Sequence, residues 1–225
     1  MSLITFIIPT IGRETLNRTI DSLLNQTVSN WNAIIIFDGI TTTTSNIEFN
    51  DSRIIIKGIE KRGLNSNSAG LVRNYGMQFV ETEWIAFVDD DDTISYDYVE
   101  TFIKEIEEYN NIDVIIFRMQ YEDRIIPKLK TDNFYLCDVG ISFVIKKYIY
   151  ENGLKFIPDG AEDFLYLDKI RNNNYEIMIS PFIKYYVRNN SVINNENIGN
   201  RVFINKNKNY FIFMNYLIYN YYNKH

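Results

Sequence analysis

Leu3 to Ile8 form a run that is apolar but for Thr5, rich in β-branched residues and closed by Pro9, the pattern of a strand buried on both faces. Leu16, Ile20, Leu23 and Leu24 then fall at i, i+4, i+7 and i+8, one apolar face of a helix. The alternation recurs. AIIIF at 33–37 and RIIIK at 53–57 predict strands, 69–80 a helix, and WIAFV at 84–88 another strand. Ser95 is placed to cap a helix carrying Val99, Phe102, Ile103 and Ile106 on one face, and DVIIF at 113–117 follows as a strand.

Alternating strands and helices predict an α/β fold with a mainly parallel, doubly wound, Rossmann-like sheet. Ligands bind such sheets beyond the carboxyl ends of the strands. Three loops there carry chemistry: Pro9 and Thr10 with Arg13, Asp38 with Gly39, and Asp89 to Asp92. They are expected to converge. From about 120 to 190 the pattern is less regular, with short strands around 140–145 and 176–187 flanking a helix that starts near Glu162. No linker, repeat or Pro/Gly-rich hinge divides the chain, so a single domain is expected. Near the end, Tyr210, Phe213, Met214, Leu217, Ile218 and Tyr221 lie at helical spacing. Such a helix would pack on its own domain or on a dimer mate, with peripheral membrane contact as the alternative.

Composition removes several classes of function. The 225 residues are 46% hydrophobic and 23% charged, in keeping with one globular unit. A net charge of −6 gives no overall attraction to nucleic acid. The single cysteine, Cys137, and single histidine, His225, cannot form a Cys/His zinc cage, an internal disulfide or a histidine-based triad. Carboxylates must do the acid–base work. Cys137 itself reads as a small buried hydrophobe. MSLITFIIPTIGR lacks the pattern of a signal peptide, and no apolar stretch reaches the ~20 residues of a membrane span. A cytoplasmic protein is expected, which leaves the Asn-x-Ser/Thr sites at Asn17, Asn25 and Asn189 incidental.

The stretch IAFVDDDDT at 85–93 sets four carboxylates directly after an apolar run. Crowded like charges raise one another's pKa unless a cation or hydrogen-bond donors offset them. Asp89 and Asp91, one residue apart in an extended loop, can share one hard cation, Mg²⁺ or Mn²⁺, whose other ligands are waters and substrate phosphates. The bland alternative is a solvated acidic turn capping the next helix, and Asp92 fits that role.

FIIPTIGRETLNRTIDSLLNQT, IIIFDG, GLVRNYG, FVDDDD and GAEDFLYLDKIRNN, in this order, resemble the family 2 glycosyltransferases over about residues 3–192. The resemblance implies a GT-A fold and a nucleotide-diphosphate sugar donor, UDP-linked in the family's common case. It divides the chain into a nucleotide-sugar half (about 1–118), an acceptor half (about 119–192) and a tail (about 193–225). It implies that Pro9, Thr10 and Arg13 line the nucleotide pocket, that Asp38 lies beside the base or ribose, and that Arg73 lies near the nucleotide. Within the Asp-x-Asp motif, Asp89 resembles the ribose-side or metal-assisting carboxylate and Asp91 the metal ligand, with Asp90 between them in the donor site. Arg13 as a surface residue and Arg73 as half of an ion pair on a solvated helix face are the bland rivals. Two departures stand out. Phe37 occupies a position where relatives often have an acid, and Arg188 in YYVRNN stands where relatives often have a histidine. A guanidinium there could stabilise a diphosphate without binding metal.

Glu162 and Asp163 open a predicted helix, whose dipole favours ionised carboxylates. They match the family's Glu-Asp motif, which implies Asp163 as the base of an inverting transfer, with Glu162 positioning it or the acceptor. The acceptor hydroxyl would belong to a glycan, lipid or protein. Three rivals remain open. Asp89, Asp91 and Thr93 also fit the nucleophile loop of haloacid dehalogenase-type phosphatases, although that loop usually follows the first strand. A nucleotidyltransferase would need a glycine-rich basic loop that PTIGRET does not supply. A degenerate scaffold that only binds nucleotide or glycan would have no need of Asp163.

Overall fold

The computed structural model describes residues 2–39, 49–62, 69–129, 139–189 and 201–204. The strands are β1 (Ile4–Thr10), β2 (Trp31–Asp38), β3 (Ile54–Ile59), β4 (Trp84–Phe87), β5 (Thr93–Ile94), β6 (Val114–Tyr121), β7 (Arg124–Ile126), β8 (Phe143–Lys146), β9 (Ile177–Tyr186) and β10 (Val202–Ile204). The helices are α1 (Leu16–Leu24), α2 (Ala69–Met77), α3 (Tyr98–Glu108), α4 (Lys147–Glu151) and α5 (Glu162–Asn172). The Cys137 expectation and the C-terminal helix expectation fall on residues outside the described ones.

β1 is buried along its whole length because strands flank it on both sides. It does not stop at Pro9, as the sequence pattern suggests. Pairing with β2 runs from Ile4↔Trp31 to Thr10↔Phe37, whereas pairing with β4 ends at Ile7↔Phe87. Pro9, which lacks an N–H, is therefore tolerated beyond the last β4 pair. The strand instead delivers Thr10 to the sheet edge.

The main path of the sheet is β10-β9-β6-β8-β4-β1-β2-β3. The parallel block expected from the βα alternation is β4-β1-β2-β3. Beyond it the sheet is mixed. β8 lies antiparallel between β4 and β6, two strands that pattern alone would place as successive parallel neighbours. β9 then pairs parallel with β6 and brings residues 183–186 alongside the loop that follows β4. That insertion sets the second half of the chain against the first.

Two local expectations are corrected. Leu24 is exposed, so the buried face of α1 is Leu16, Thr19, Ile20 and Leu23. Helix α3 starts after Asp97 rather than at a Ser95 cap, and the Ser95 hydroxyl donates to Asp97 Oδ1 at 2.8 Å. Helix α2 packs tightly on the sheet through Gly76, where an added Cβ would come within 2.6 Å of Ile36 Cδ1 and 2.8 Å of Ile7 Cγ2. Beneath α5, Phe156 packs against Tyr166 with centroids 4.1 Å apart and meets Phe87 edge-on at 5.3 Å. This aromatic cluster joins the start of α5 to the end of β4.

Candidate active site

The acidic loop leaves β4 as a turn in which the Asp92 N–H donates to the Asp89 carbonyl at 3.1 Å. Its four carboxylates divide into two pairs. Asp89 and Asp91 keep 35% and 25% of their side chains exposed, while Asp90 and Asp92 are buried. Alternate residues of the loop thus differ in exposure, with Asp89 and Asp91 the more open pair.

The buried pair fastens the loop. Asp90 Oδ2 accepts from the Thr10 hydroxyl at 2.7 Å, and Asp90 Oδ1 meets Arg13 Nη1 at 3.2 Å. Burial raises the Asp90 carboxyl, against the opposing effects of Thr10 and Arg13. Asp92 is not a solvated helix cap. Its Oδ2 accepts from the Tyr185 hydroxyl at 2.7 Å and its Oδ1 from the Arg188 N–H at 2.9 Å. Burial, reinforced by the charge on Asp89, pushes Asp92 up to about 7. Helix α1 holds the same loop by its backbone, through Arg18 Nη2 to the Asp91 carbonyl and Thr19 Oγ1 to the Asp92 carbonyl, both at 2.7 Å.

Three cations surround the exposed pair. Arg13 Nη1 lies 3.3 Å and Arg188 Nε 3.6 Å from Asp91 Oδ2. Arg13 is thus engaged with the loop rather than a simple surface residue. Arg188 sits in the left-handed region at φ 50°, uncommon for a non-glycine residue, with its side chain 75% exposed. Arg73 Nη2 pairs with Asp89 Oδ1.

Arg73 is where the structure departs furthest from the sequence reading. It is not on a solvated helix face. Only 2% exposed, it spans Asp89, Glu162 Oε1 at 2.5 Å and Asp163 Oδ1 at 3.4 Å. Burial disfavours its charge, but attraction to Asp89, Asp163 and Glu162 outweighs that and raises its pKa. Glu162 Oε2 also accepts the Gly70 N–H at 2.7 Å. Gly70 must be glycine for this approach, since a Cβ would collide with Glu162 Oε2 and come within 2.7 Å of Phe156 Cβ. Asn74 completes the saddle, donating to the Phe156 carbonyl at 2.9 Å and accepting its N–H at 3.0 Å.

Asp163 overturns one expectation. The helix start was expected to hold it ionised, yet burial pushes its carboxyl up to about 7; Arg73 opposes the rise while Asp89 and Glu162 add to it. Glu162 is raised as well, by burial first. Loss of hydration outweighs the helix dipole, which is worth at most ~2 kcal/mol. The Asp163 side chain nevertheless remains 28% exposed.

Thr10, Arg13, Asp89, Asp90, Asp91, Arg73, Glu162, Asp163 and Arg188 are thus brought together through shared contacts. Pro9 is buried inside β1, one residue short of that group. Asp38 ends β2 on the same sheet edge, but its Oδ1 accepts the Arg62 N–H at 2.7 Å and so belongs to the β3 side of the rim. Gly70, Asn74 and Tyr185 are the contributors that sequence reasoning missed. All three lie inside the quoted GLVRNYG and YYVRNN motifs, but spacing alone gives them no chemistry.

Among the described residues, no group of three or more His, Cys, Asp or Glu side chains forms a ready-made metal cage. Two partly exposed carboxylates suit instead a hard cation that takes its other ligands from water and a diphosphate. Asp89 and Asp91 fit that description.

A family model described as Glycosyl transferase family 2 matches residues 5–169. The poly(ribitol-phosphate) beta-N-acetylglucosaminyltransferase TarP of Staphylococcus aureus (strain N315) is 28% identical over 229 aligned positions, covering 92% of this chain and 67% of TarP. The UDP-Glc:alpha-D-GlcNAc-diphosphoundecaprenol beta-1,3-glucosyltransferase WfgD of Escherichia coli is 27% identical over 208 positions, 86% of this chain and 81% of WfgD. Glycosyltransferase GlyA of Streptococcus pneumoniae is 37% identical over 111 positions, but these are 47% of this chain and only 15% of GlyA. Among solved structures, S. aureus TarS 1-349 in complex with UDP-GlcNAc aligns with TM-score 0.68 at 22% identity, over 85% of this chain and 60% of that one. Likeness at that identity establishes the shared fold. The match across the acidic loop leaves the phosphatase alternative without support.

Proposed function

From the premise that this chain belongs to glycosyl transferase family 2 and has the GT-A fold, we propose that it is an inverting, metal-dependent glycosyltransferase using a UDP-sugar. One observation carries the proposal. A single buried guanidinium, Arg73, joins the first carboxylate of the donor loop, Asp89, to the Glu162–Asp163 pair of the other half.

The acceptor hydroxyl oxygen attacks the anomeric carbon as the bond from that carbon to the diphosphate oxygen breaks. The departing UDP keeps the electron pair, and Asp163 receives the hydroxyl proton. A base is most effective when its pKa lies near the working pH, and Asp163 sits at about 7. Glu162 holds Arg73 in place, and Arg73 in turn fixes Asp163 relative to Asp89. Asp91 and Asp89 would hold Mn²⁺ or Mg²⁺, which supplies Lewis-acid stabilisation of diphosphate charge. Arg188, exposed beside Asp91, adds a guanidinium that suits phosphate oxygens.

TarP and WfgD, by their names, transfer N-acetylglucosamine and glucose with β linkage. That supports a hexosyl or N-acetylhexosaminyl donor and inversion from an α-linked nucleotide sugar. The acceptor is assigned to glycan-type hydroxyls, on a surface polymer or a lipid-linked sugar. No helix among the described residues is long and apolar enough to cross a membrane, and a UDP-sugar donor suits a cytoplasmic site of reaction.

The test is UDP release from UDP-GlcNAc, UDP-glucose and UDP-galactose with Mn²⁺ or EDTA, in the presence of ribitol-phosphate polymer or GlcNAc-diphospholipid. Metal-dependent release from one donor is expected. UDP–Mn²⁺ binding without turnover on any acceptor would favour the scaffold alternative instead.

A further inference from the structure

One hydroxyl connects the two halves of the site without facing either substrate. Tyr185 lies on β9, in register with Ile94 of β5 and Met119 of β6, and its side chain is fully buried. Its oxygen donates to Asp92 Oδ2 at 2.7 Å and accepts the Asp89 N–H at 3.1 Å. The same atom therefore grips the first and the last residues of the acidic loop. The other oxygen of Asp92 takes the Arg188 N–H at 2.9 Å, three residues beyond Tyr185 in the chain. That bond fastens Arg188 in its left-handed conformation, with Nε 3.6 Å from Asp91.

Folding does not call for this arrangement. A phenylalanine would fill the same volume, and an apolar residue at position 92 would avoid burying a carboxylate at all. A buried carboxylate satisfied on both oxygens and a buried hydroxyl used as both donor and acceptor rigidify what they join. What they join is the backbone of Asp89, the Asp92 end of the loop and the turn bearing Arg188. Asp89, Asp91 and Arg188, which these pieces carry, are the residues that would hold the metal and the diphosphate in the proposed function.

We infer that Tyr185, acting through Asp92, is a positioning residue for the nucleotide diphosphate: it sets the Asp89–Asp91 carboxylates and the Arg188 guanidinium in one fixed arrangement. It touches neither reacting atom. The inference rests on the UDP-sugar reading above, and it assigns the donor side of the site to a residue of the acceptor half.

The experiment is calorimetric titration of wild type, Tyr185→Phe and Asp92→Asn with UDP in the presence of Mn²⁺, alongside steady-state kinetics with the active UDP-sugar. Near-UV circular dichroism checks the fold. Removing the hydroxyl leaves the Asp89 N–H and an Asp92 oxygen without their partner and the loop no longer held to β9, so that binding must order it again, at a loss of about tenfold. UDP–Mn²⁺ affinity is expected to fall about tenfold in folded Tyr185→Phe. Donor KM should rise by a similar factor, with acceptor KM unchanged. Asp92→Asn, which keeps the volume and removes the charge, should show the same donor-side defect. Folded Tyr185→Phe or Asp92→Asn with wild-type UDP–Mn²⁺ affinity overturns the inference while leaving the UDP-sugar reading intact. A wild type that does not bind UDP with Mn²⁺ overturns the UDP-sugar reading, and this inference with it. Loss of fold in both variants would make the pair a structural support of the core and also overturn the positioning role.

Discussion

Asp163 Oδ1 lies 3.4 Å from Nη1 of Arg73, whose Nη2 pairs with Asp89. Residues separated by 74 positions along the chain, one at a helix start and one after a strand, thus share one cation. An isolated acidic pair at the start of α5 would be held ionised by the helix dipole. Burial, opposed by Arg73 and reinforced by the charges of Asp89 and Glu162, shifts Asp163 the other way, toward the range where a carboxylate can exchange a proton near neutral pH.

Asp163→Asn should keep the shape of the site and lose the base. Transfer should fall by about two to four orders of magnitude, the usual worth of a positioned base. UDP–Mn²⁺ affinity, measured by calorimetry, should stay within a few-fold of wild type. An equal loss of donor binding would move Asp163 to the donor side.

The acid limb of kcat/KM should fall near pH 7. Asp163 must be ionised to accept a proton, and its carboxyl sits at about 7 in the folded chain. Below that pH activity should drop about tenfold per unit, and above it should level off. Stability has the opposite sign. With its folded pKa raised from the ordinary 3.8, Asp163 binds a proton in the folded chain between about 4 and 7 that the unfolded chain has released. Its contribution therefore declines as pH rises through that window. Asp163→Asn should remove its share of both slopes, as read by kinetics and by thermal melts across pH 5–8, leaving in the melts the part that Asp92, also pushed up to about 7, contributes.

Metal removal should act through Asp91. In wild type, EDTA should weaken UDP binding at least about tenfold, because Asp91 and Asp89 would hold a hard cation that offsets diphosphate charge. In Asp91→Asn, UDP binding should be weak with or without Mn²⁺. Binding that is equally tight in all four conditions would remove the metal assignment.

Arg73→Met should be severely destabilising. Removing one partner of a buried ion pair leaves uncompensated charge and costs about 3–5 kcal/mol. Glu162 and Asp163 lose their shared cation together. Urea unfolding should show the loss, and a variant within 1 kcal/mol of wild type (about one pKa unit's worth) would mean that the carboxylates had simply become protonated.

Gly70→Ala tests the saddle without altering any charge. The added methyl meets Glu162 Oε2 and lies within 2.7 Å of Phe156 Cβ. Relief requires α2 and α5 to separate, at about 1–3 kcal/mol for overpacking. Thermal stability and kcat should both fall. An unchanged kcat would show that the base does not depend on this close approach.

Much of the architecture was legible in the chain because it follows from local pattern. The short runs at 4–8, 33–37 and 84–88, rich in β-branched and aromatic residues, fit interior strands, and the parallel block built from them places Thr10, Asp38 and Asp89 at one edge. The acidic loop and the Glu162–Asp163 pair were readable as candidate chemistry, because crowded carboxylates need a reason to exist. The antiparallel insertion of β8 was not readable, since a short buried strand carries no signal of its neighbours or its direction.

The roles within the site were decided by tertiary structure alone. Arg73 sits in an ordinary helix pattern, and only the packing of α2 against α5 and β4 turns it from a surface charge into the buried link between the Glu162–Asp163 pair and the acidic loop. Asp90 and Asp92 are chemically identical to Asp89 and Asp91 in the sequence. The partners brought to them from Thr10, Arg13, Tyr185 and the Arg188 backbone divide the buried fasteners from the partly exposed pair. Composition and periodicity thus determined which residues could do chemistry and on which side of the sheet they lie. What each one does depends on desolvation and on charges close in space but distant in sequence, and those exist only once the chain has folded.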